Sequence, residues 1–211
     1  TVVSMGPPAA EKALREALAM GCDDAALLTD RAFAGADTWA TANVLAAAIR
    51  RMGAYDLIVC GERATDGDTA QVGPELAAAL DAPLATYVSH IESVSPDAGE
   101  ITVRRMTDFG SERLALPLPA LLTVVKEAAF PRLPTLRGKQ RARSAPLTVW
   151  GAQDLGLEAQ DTGLKGSPTR VVKIESPRVT RGGTVLRVTD ERSLDDAVEQ
   201  LAAFLRERGI V

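Results

Sequence analysis

The stretch that most constrains this chain is an apolar run, Tyr55-Asp-Leu-Ile-Val-Cys60, followed by Gly61-Glu-Arg-Ala-Thr-Asp66 and then Gly67-Asp-Thr-Ala-Gln-Val-Gly-Pro74. The run is short, rich in branched side chains and almost free of polar residues, the pattern of a buried parallel strand. From Glu75 to Leu80 the spacing becomes helical. A strand, a polar glycine-bearing loop and a helix in succession place the loop at the carboxyl end of a strand. There loop amides and a helix N-terminus converge on an anion. Asp66, Asp68 and Thr69 are good helix caps, and Gly67 and Gly73 allow a ligand to approach closely. The plainer reading of the same residues is a capped helix after a turn.

The flanking sequence sets the fold class. Val2–Met5 reads as a strand, 9–20 as a helix stopped by Gly21, 25–28 as a second apolar strand, and 38–52 as a helix capped by Asp37 or Thr38. In that helix Trp39, Ala42, Leu45, Ala46 and Ile49 recur at helical spacing, which casts Trp39 as a packing residue. Alternating strands and helices imply an α/β fold with a parallel sheet and right-handed crossovers. After Pro83 the runs 84–88, 91–94, 100–106 and 113–116 are short and alternating, with turn signals between them, so antiparallel hairpins are expected; 120–125 returns to the main sheet. Residues 128–146 hold Pro131, Pro134 and Pro146 with five basic residues, and read as an extended exposed segment that sets Leu136 among cations. Trp150, Leu155 and Leu157 return the chain to the body, 171–174 is a strand candidate, and 177–183 a basic linker. An amphipathic helix starting at Ser193, with Leu194, Ala197, Leu201, Phe204 and Leu205 on one face, ends the chain.

The loop Asp-Gly-Asp-Thr-Ala-Gln-Val-Gly-Pro74 closely resembles the nucleotide loop of the electron-transfer flavoprotein beta subunit. Val2-Val-Ser-Met-Gly-Pro7, Ala17-Leu-Ala-Met-Gly21, Ala34-Gly-Ala-Asp-Thr38, Leu118-Pro-Ala-Leu-Leu-Thr123, Pro131-Arg-Leu-Pro-Thr-Leu136 and Gly163-Leu-Lys-Gly-Ser-Pro168 resemble further landmarks of that family, in its order. The resemblance implies a nucleotide-binding α/β domain over 1–183 and an arm over 184–211 that packs on an alpha subunit. It also implies an earlier strand and helix, absent here, which would leave one side of the sheet uncovered. By the same resemblance Met5, Gly6, Asp66, Gly67, Asp68, Thr69, Ala70, Gln71, Val72, Gly73 and Pro74 bind FAD or, alternatively, AMP. Leu136 with Arg137 then docks on partner dehydrogenases, and the alpha subunit holds a second FAD. The loop's spelling resembles members that bifurcate electrons from NADH, which brings in ferredoxin as a candidate acceptor.

The remaining composition narrows the classes. A formal net charge of −4 gives no support to nucleic-acid binding, and no apolar run reaches the length of a membrane helix, which points to a cytoplasmic protein. Cys22 and Cys60 form no metal or redox motif and read as reduced thiols. His90, the only histidine, has no acid or cysteine spaced to work with it. With no complete catalytic set, any chemistry must come from a cofactor. The rival reading is an adenine-nucleotide enzyme that hydrolyses ATP or transfers its phosphate, with Asp66 and Asp68 on a metal; a catalytically idle interaction module is a third.

Overall fold

A computed structural model describes residues 1–65, 67–174 and 182–210. The chain forms two compact units, Thr1–Val171 and Val172–Val211. The first unit has the expected alternation. Strand β1 (Val2–Met5) leads through a 3-10 turn to helix α1 (Glu11–Met20). Then follow β2 (Ala25–Leu28), α2 (Thr38–Met52), β3 (Leu57–Gly61), α3 (Val72–Leu80), β4 (Leu84–Ser95), β5 (Glu100–Thr107), β6 (Gly110–Pro117) and β7 (Ala120–Val124). Helix α4 (Leu136–Ser144), β8 (Thr148–Trp150) and a single helical turn, α5 (Gly163–Gly166), complete it.

The strands form two sheets where the sequence suggested one main sheet. A parallel three-stranded sheet has the order β1-β2-β8, and a mixed five-stranded sheet has the order β3-β7-β4-β5-β6. The edge position of β3 explains why this apolar strand is only half-buried, with Val59 53% exposed, against the expectation of full burial. The two short runs at 84–88 and 91–94 are one long strand, β4, carrying register shifts in its pairing with β5. Its first half runs parallel to β7 and its second half pairs antiparallel with β5, so the irregularity falls where the strand changes role. As expected, β7 lies inside the sheet, between β3 and β4.

Helix α2 is buried on two sides. Val44 and Ala48 pack with Leu28 and Phe33, while Ala42 and Ala46 pack with Leu76, Ala77 and Leu121. A helix held between two clusters needs small side chains on both, which is why alanines dominate it. Trp39 is too large for either side and is 48% exposed at the first turn, so it is not the packing residue its spacing suggested.

The proline-rich basic segment is not wholly extended: α4 begins at Leu136, with the Thr135 hydroxyl accepting from the Gly138 amide at 3.0 Å. Helices α1 and α4 cap each other. Arg15 donates to the carbonyls of Ala142 and Ala145 at 2.7 and 2.6 Å, and Arg141 donates to the carbonyl of Leu18 at 3.0 Å. Cations at helix C-termini satisfy orphan carbonyls and oppose the dipole. Gly138 lets the backbones meet, since a Cβ there would strike the Ala19 carbonyl. Beneath the crossing, Leu14 and Leu18 are each 1% exposed, and such burial contributes roughly 1.5–3 kcal/mol apiece.

Residues 171–174 are not a strand: they pair with no sheet, and Val171, Val172 and Ile174 are 78, 90 and 87% exposed. Most of the expected basic linker, residues 177–181, lies outside the described residues. In the second unit, α6 (Glu191–Glu207) starts earlier than Ser193, because Asp190 is the cap and Ser193 closes the capping box from inside the first turn. Leu194, Val198, Leu201 and Phe204 remain about half exposed along it.

Candidate functional site

The loop between β3 and α3 sits at the carboxyl ends of two parallel strands, β3 and β7, which pair from Leu57↔Ala120 to Gly61↔Val124. Gly73 fixes the start of α3 against them. A Cβ at this position would collide with the methyl of Thr123 on β7 and reach the Cβ of Cys60 on β3. The Thr123 hydroxyl meanwhile accepts from the Tyr87 amide at 3.2 Å, which holds the threonine in place. Gly73 therefore serves close helix-on-strand packing, and the loop reaches its position because of it.

Two of the expected caps, those at Asp68 and Thr69, do not form. Helix α3 has Gln71 at its N-cap position, in helical torsions (φ −93, ψ −32), and no side chain among the described residues caps it. Thr69 makes no cap bond, and Asp68 forms an ion pair with Arg63 at 2.9 Å, an arginine that also reaches Glu62 at 3.5 Å. The left-handed torsions that glycine was expected to supply are held by Asp68 (φ 51) and Ala70 (φ 54). A Cβ at Gly67 would meet open space. Asp66 lies outside the described residues.

The consequence is a row of free donors. Among the described residues, the amides of Thr69, Ala70, Gln71, Val72 and Gly73 donate to no protein acceptor, while the Asp68 amide bonds back to the Ala64 carbonyl and the Glu75 amide to that of Gln71. Successive amides around a left-handed residue at a helix N-terminus suit phosphate oxygens. These residues fit an anionic nucleotide. Pro74 follows with no amide hydrogen to add.

Met5 ends β1, on the other sheet, and Gly6 follows it. Met5 packs with Leu28, Phe33, Val44 and Ala48, and the Gly6 amide donates to the Leu28 carbonyl at 3.0 Å. No hydrogen bond joins either to the 62–71 loop among the described residues.

Thr38, which the sequence offered as a helix cap, instead joins Glu75 in binding α3 to α2. The Thr38 hydroxyl donates to Glu75 Oε1 at 3.2 Å, and Glu75 Oε2 is buried with no partner among the described residues. Burial pushes the Glu75 carboxyl up, opposed by the Thr38 bond, with nearby Asp37 pushing the same way as burial. Asp37 behaves oppositely. Desolvation would raise it, but hydrogen bonds from Ala40, from the Thr169 amide and hydroxyl, and from Ser167 outweigh that and hold it low. Of the two metal candidates, Asp68 is engaged by Arg63 and Asp66 lies outside the described residues. Cys22 and Cys60 are free thiols, and burial pushes Cys60 up.

Leu136, at the first position of α4, is 86% exposed, with Leu133 at 87% and Phe130 at 100% nearby in sequence. Arg137 follows it on the same helix end.

The electron transfer flavoprotein domain family matches residues 1–155. The chain belongs to the electron transfer flavoprotein family. Within it the chain is similar to beta subunits. That of Thermoanaerobacterium thermosaccharolyticum is 46% identical over 202 residues, covering 95% of this chain and 76% of the relative. The caffeyl-CoA reductase-Etf complex subunit CarD of Acetobacterium woodii is 43% identical over 210 residues, covering 100% of this chain and 78% of the relative. Protein FixA of Azotobacter vinelandii is 46% identical over 182 residues, covering 84% of this chain and 65% of the relative. No helix among the described residues is long and apolar enough to cross a membrane.

Proposed function

We propose that this chain is the beta subunit of a heterodimeric electron carrier. It binds FAD through the free amides at residues 69–73 and works in the cytoplasm with an alpha subunit that carries a second FAD. The observation that supports this reading is the uncapped start of α3, a family landmark by sequence and a donor row by geometry. The helix dipole contributes only about 0.3–1 kcal/mol. Hydrogen bonds from amides to a charged pyrophosphate contribute about 1.5–3 kcal/mol each, so they dominate, and FAD offers more acceptor oxygens than AMP. The domain over 1–183 carries the nucleotide, and 184–211 is the arm on the alpha subunit, through the apolar stripe of α6. NADH feeds the carrier, and the electrons divide between a dehydrogenase or acyl-CoA reductase partner and ferredoxin.

Nucleotide released from the purified heterodimer tests the ligand: about two flavins per dimer are expected, whereas one flavin with one AMP refutes FAD at this loop. Leu136 is the docking anchor of the same reading. Leu136→Ala should cost on the order of 2 kcal/mol in partner binding with flavin content unchanged. Identical interprotein transfer rates for the variant and the parent would remove Leu136 from docking.

A further inference from the structure

Helices α2 and α3 lie side by side with their starts together. The Thr38 hydroxyl meets Glu75 Oε1 at 3.2 Å near one end of the seam, and the Arg50 guanidinium donates to the Ala79 carbonyl near the other. Between these points Ala42 and Ala46 of α2 pack with Leu76 and Ala77 of α3. Trp39, three and seven residues before those alanines, falls on the same stripe of α2, one turn nearer its start. At that level α3 has only begun, so Trp39 stands beside the residues that carry the free amides, Thr69 to Gly73. The small members of the stripe are covered by α3, and the one bulky member sits where that cover stops. It is 48% exposed and belongs to none of the buried clusters among the described residues. A second group on the seam is unsatisfied as well: Glu75 Oε2 is buried with no partner among the described residues. A buried acceptor without a donor and a large indole without a packing partner, both at the start of this helix pair, point to a ligand that supplies what the chain does not.

We propose that Trp39 is the platform on which the adenine ring of the nucleotide stacks when its phosphate lies on the amides of residues 69–73. This rests on the nucleotide-binding reading above and deepens it by assigning the base. Packed helices stand about 8–10 Å apart, a gap that one ribose bridges, so a 5′-phosphate at the start of α3 carries its base to the first turn of α2. The flavin ring of FAD hangs from its phosphate by the longer ribityl chain, so the adenosine end is the better match to this gap. Indole offers a broad π-face to a purine, and its half exposure leaves that face open. AMP and FAD share the adenosine 5′-phosphate part, and the platform serves either.

The test uses the heterodimer with its alpha flavin in place and its beta-site nucleotide removed, titrated separately with AMP, FAD and pyrophosphate. Trp39→Ala should weaken AMP and FAD alike, by roughly tenfold or more, and leave pyrophosphate binding unchanged, because the amides are untouched. Trp39→Phe keeps a ring face and should lose less than the alanine variant. Neither should lower the melting temperature of the nucleotide-free heterodimer appreciably, since a half-exposed side chain outside the buried clusters holds little of the fold. Equal AMP affinity in the parent and Trp39→Ala, with pyrophosphate still bound, overturns the platform and leaves the nucleotide loop standing. Equal losses in the alanine and phenylalanine variants overturn stacking as the cause. If FAD weakens and AMP does not, the ring on Trp39 is the flavin and the adenine assignment falls. If Trp39→Ala loosens the alpha subunit but binds AMP as the parent does, Trp39 is an interface residue and the platform falls again. A parent that binds none of the three ligands at the beta site overturns the platform and the nucleotide reading together.

Discussion

The first turns of α2 and α3 face the same requirement, four amides without intrahelical acceptors, and meet it in opposite ways. At α2 the chain closes the end itself. Asp37 has extended torsions (φ −81, ψ −171), accepts from Ala40 at 3.0 Å, and also holds the Thr169 amide and hydroxyl at 2.9 and 2.8 Å. The Asp37 amide in turn donates to the Ser167 hydroxyl at 2.8 Å. At α3 the residue in the equivalent place, Gln71, is already helical, and among the described residues no side chain turns back to the amides. Both helices follow parallel strands and carry family landmarks. The difference teaches that position at a strand end does not by itself leave donors for a ligand; an end that the protein leaves unsatisfied does.

The closed end should respond most strongly in stability. Asp37→Ala removes a cap and two bonds from Thr169, and a loss of about 2 kcal/mol is expected from cap and charged hydrogen-bond values. A thermal melt of the heterodimer should fall by several degrees, while flavin per dimer stays constant once the sample is folded. A flavin loss equal to that of a loop variant would show that the two ends are not separate in role.

Gly67→Asp tests the open end with the reverse signature. A Cβ there meets open space, so folding should change by less than about 0.5 kcal/mol. The added carboxylate repels phosphate, and beta-site nucleotide should fall well below stoichiometry while the alpha flavin remains. Loss of both flavins together would mean that the substitution had disturbed the fold.

How much of this could be read from the sequence depends on range. Strands β1, β2, β3 and β7, helices α1 and α2 and the β5–β6 hairpin follow from periodicity and turn residues, which are local. The site's location was local too, since the strand, loop and helix are contiguous. Its chemistry was not. Cap preference favoured Asp68 and Thr69, but the left-handed torsions at Asp68 and Ala70 turn the chain so that neither reaches the amides. Asp37 was legible as a cap, but its bond to Thr169 spans 132 residues, and no spacing rule reports it. Helix α4 was hidden because only Ala142 along it is buried, so it shows little apolar period; Thr135 just before it was the available start signal. The division into two sheets was invisible because runs of apolar residues do not encode strand order.

Gln71→Asp narrows the comparison further by bringing a negative charge to the open end. In nucleotide-free protein it should gain about 0.5 kcal/mol from the helix dipole, since negative charge is favoured there. In loaded protein the same carboxylate competes for the amides, so nucleotide occupancy should drop. A variant that gains stability and keeps full occupancy would place the phosphates elsewhere.

The smallest effect concerns the seam between the two ends, where Thr38 at the start of α2 meets Glu75 in the first turn of α3. Asp37 and Glu75 are shifted in opposite directions, so their pH dependences have opposite signs. Asp37 is held below its ordinary value of 3.8; its contribution is present above that pH and disappears as pH falls through the lowered folded value. Glu75 is pushed above its ordinary value of 4.5, chiefly by burial, so the folded state keeps a proton that the unfolded chain has released. Stability should therefore decline as pH rises from about 4.5 through the raised folded value. Glu75→Gln keeps an oxygen for the Thr38 hydroxyl and abolishes the titration, so the variant's melting temperature should be flatter than the parent's across that window and higher at its upper edge. Parallel profiles for parent and variant would mean that the unpartnered Oε2 finds solvent in solution, and the seam would then carry no stored cost.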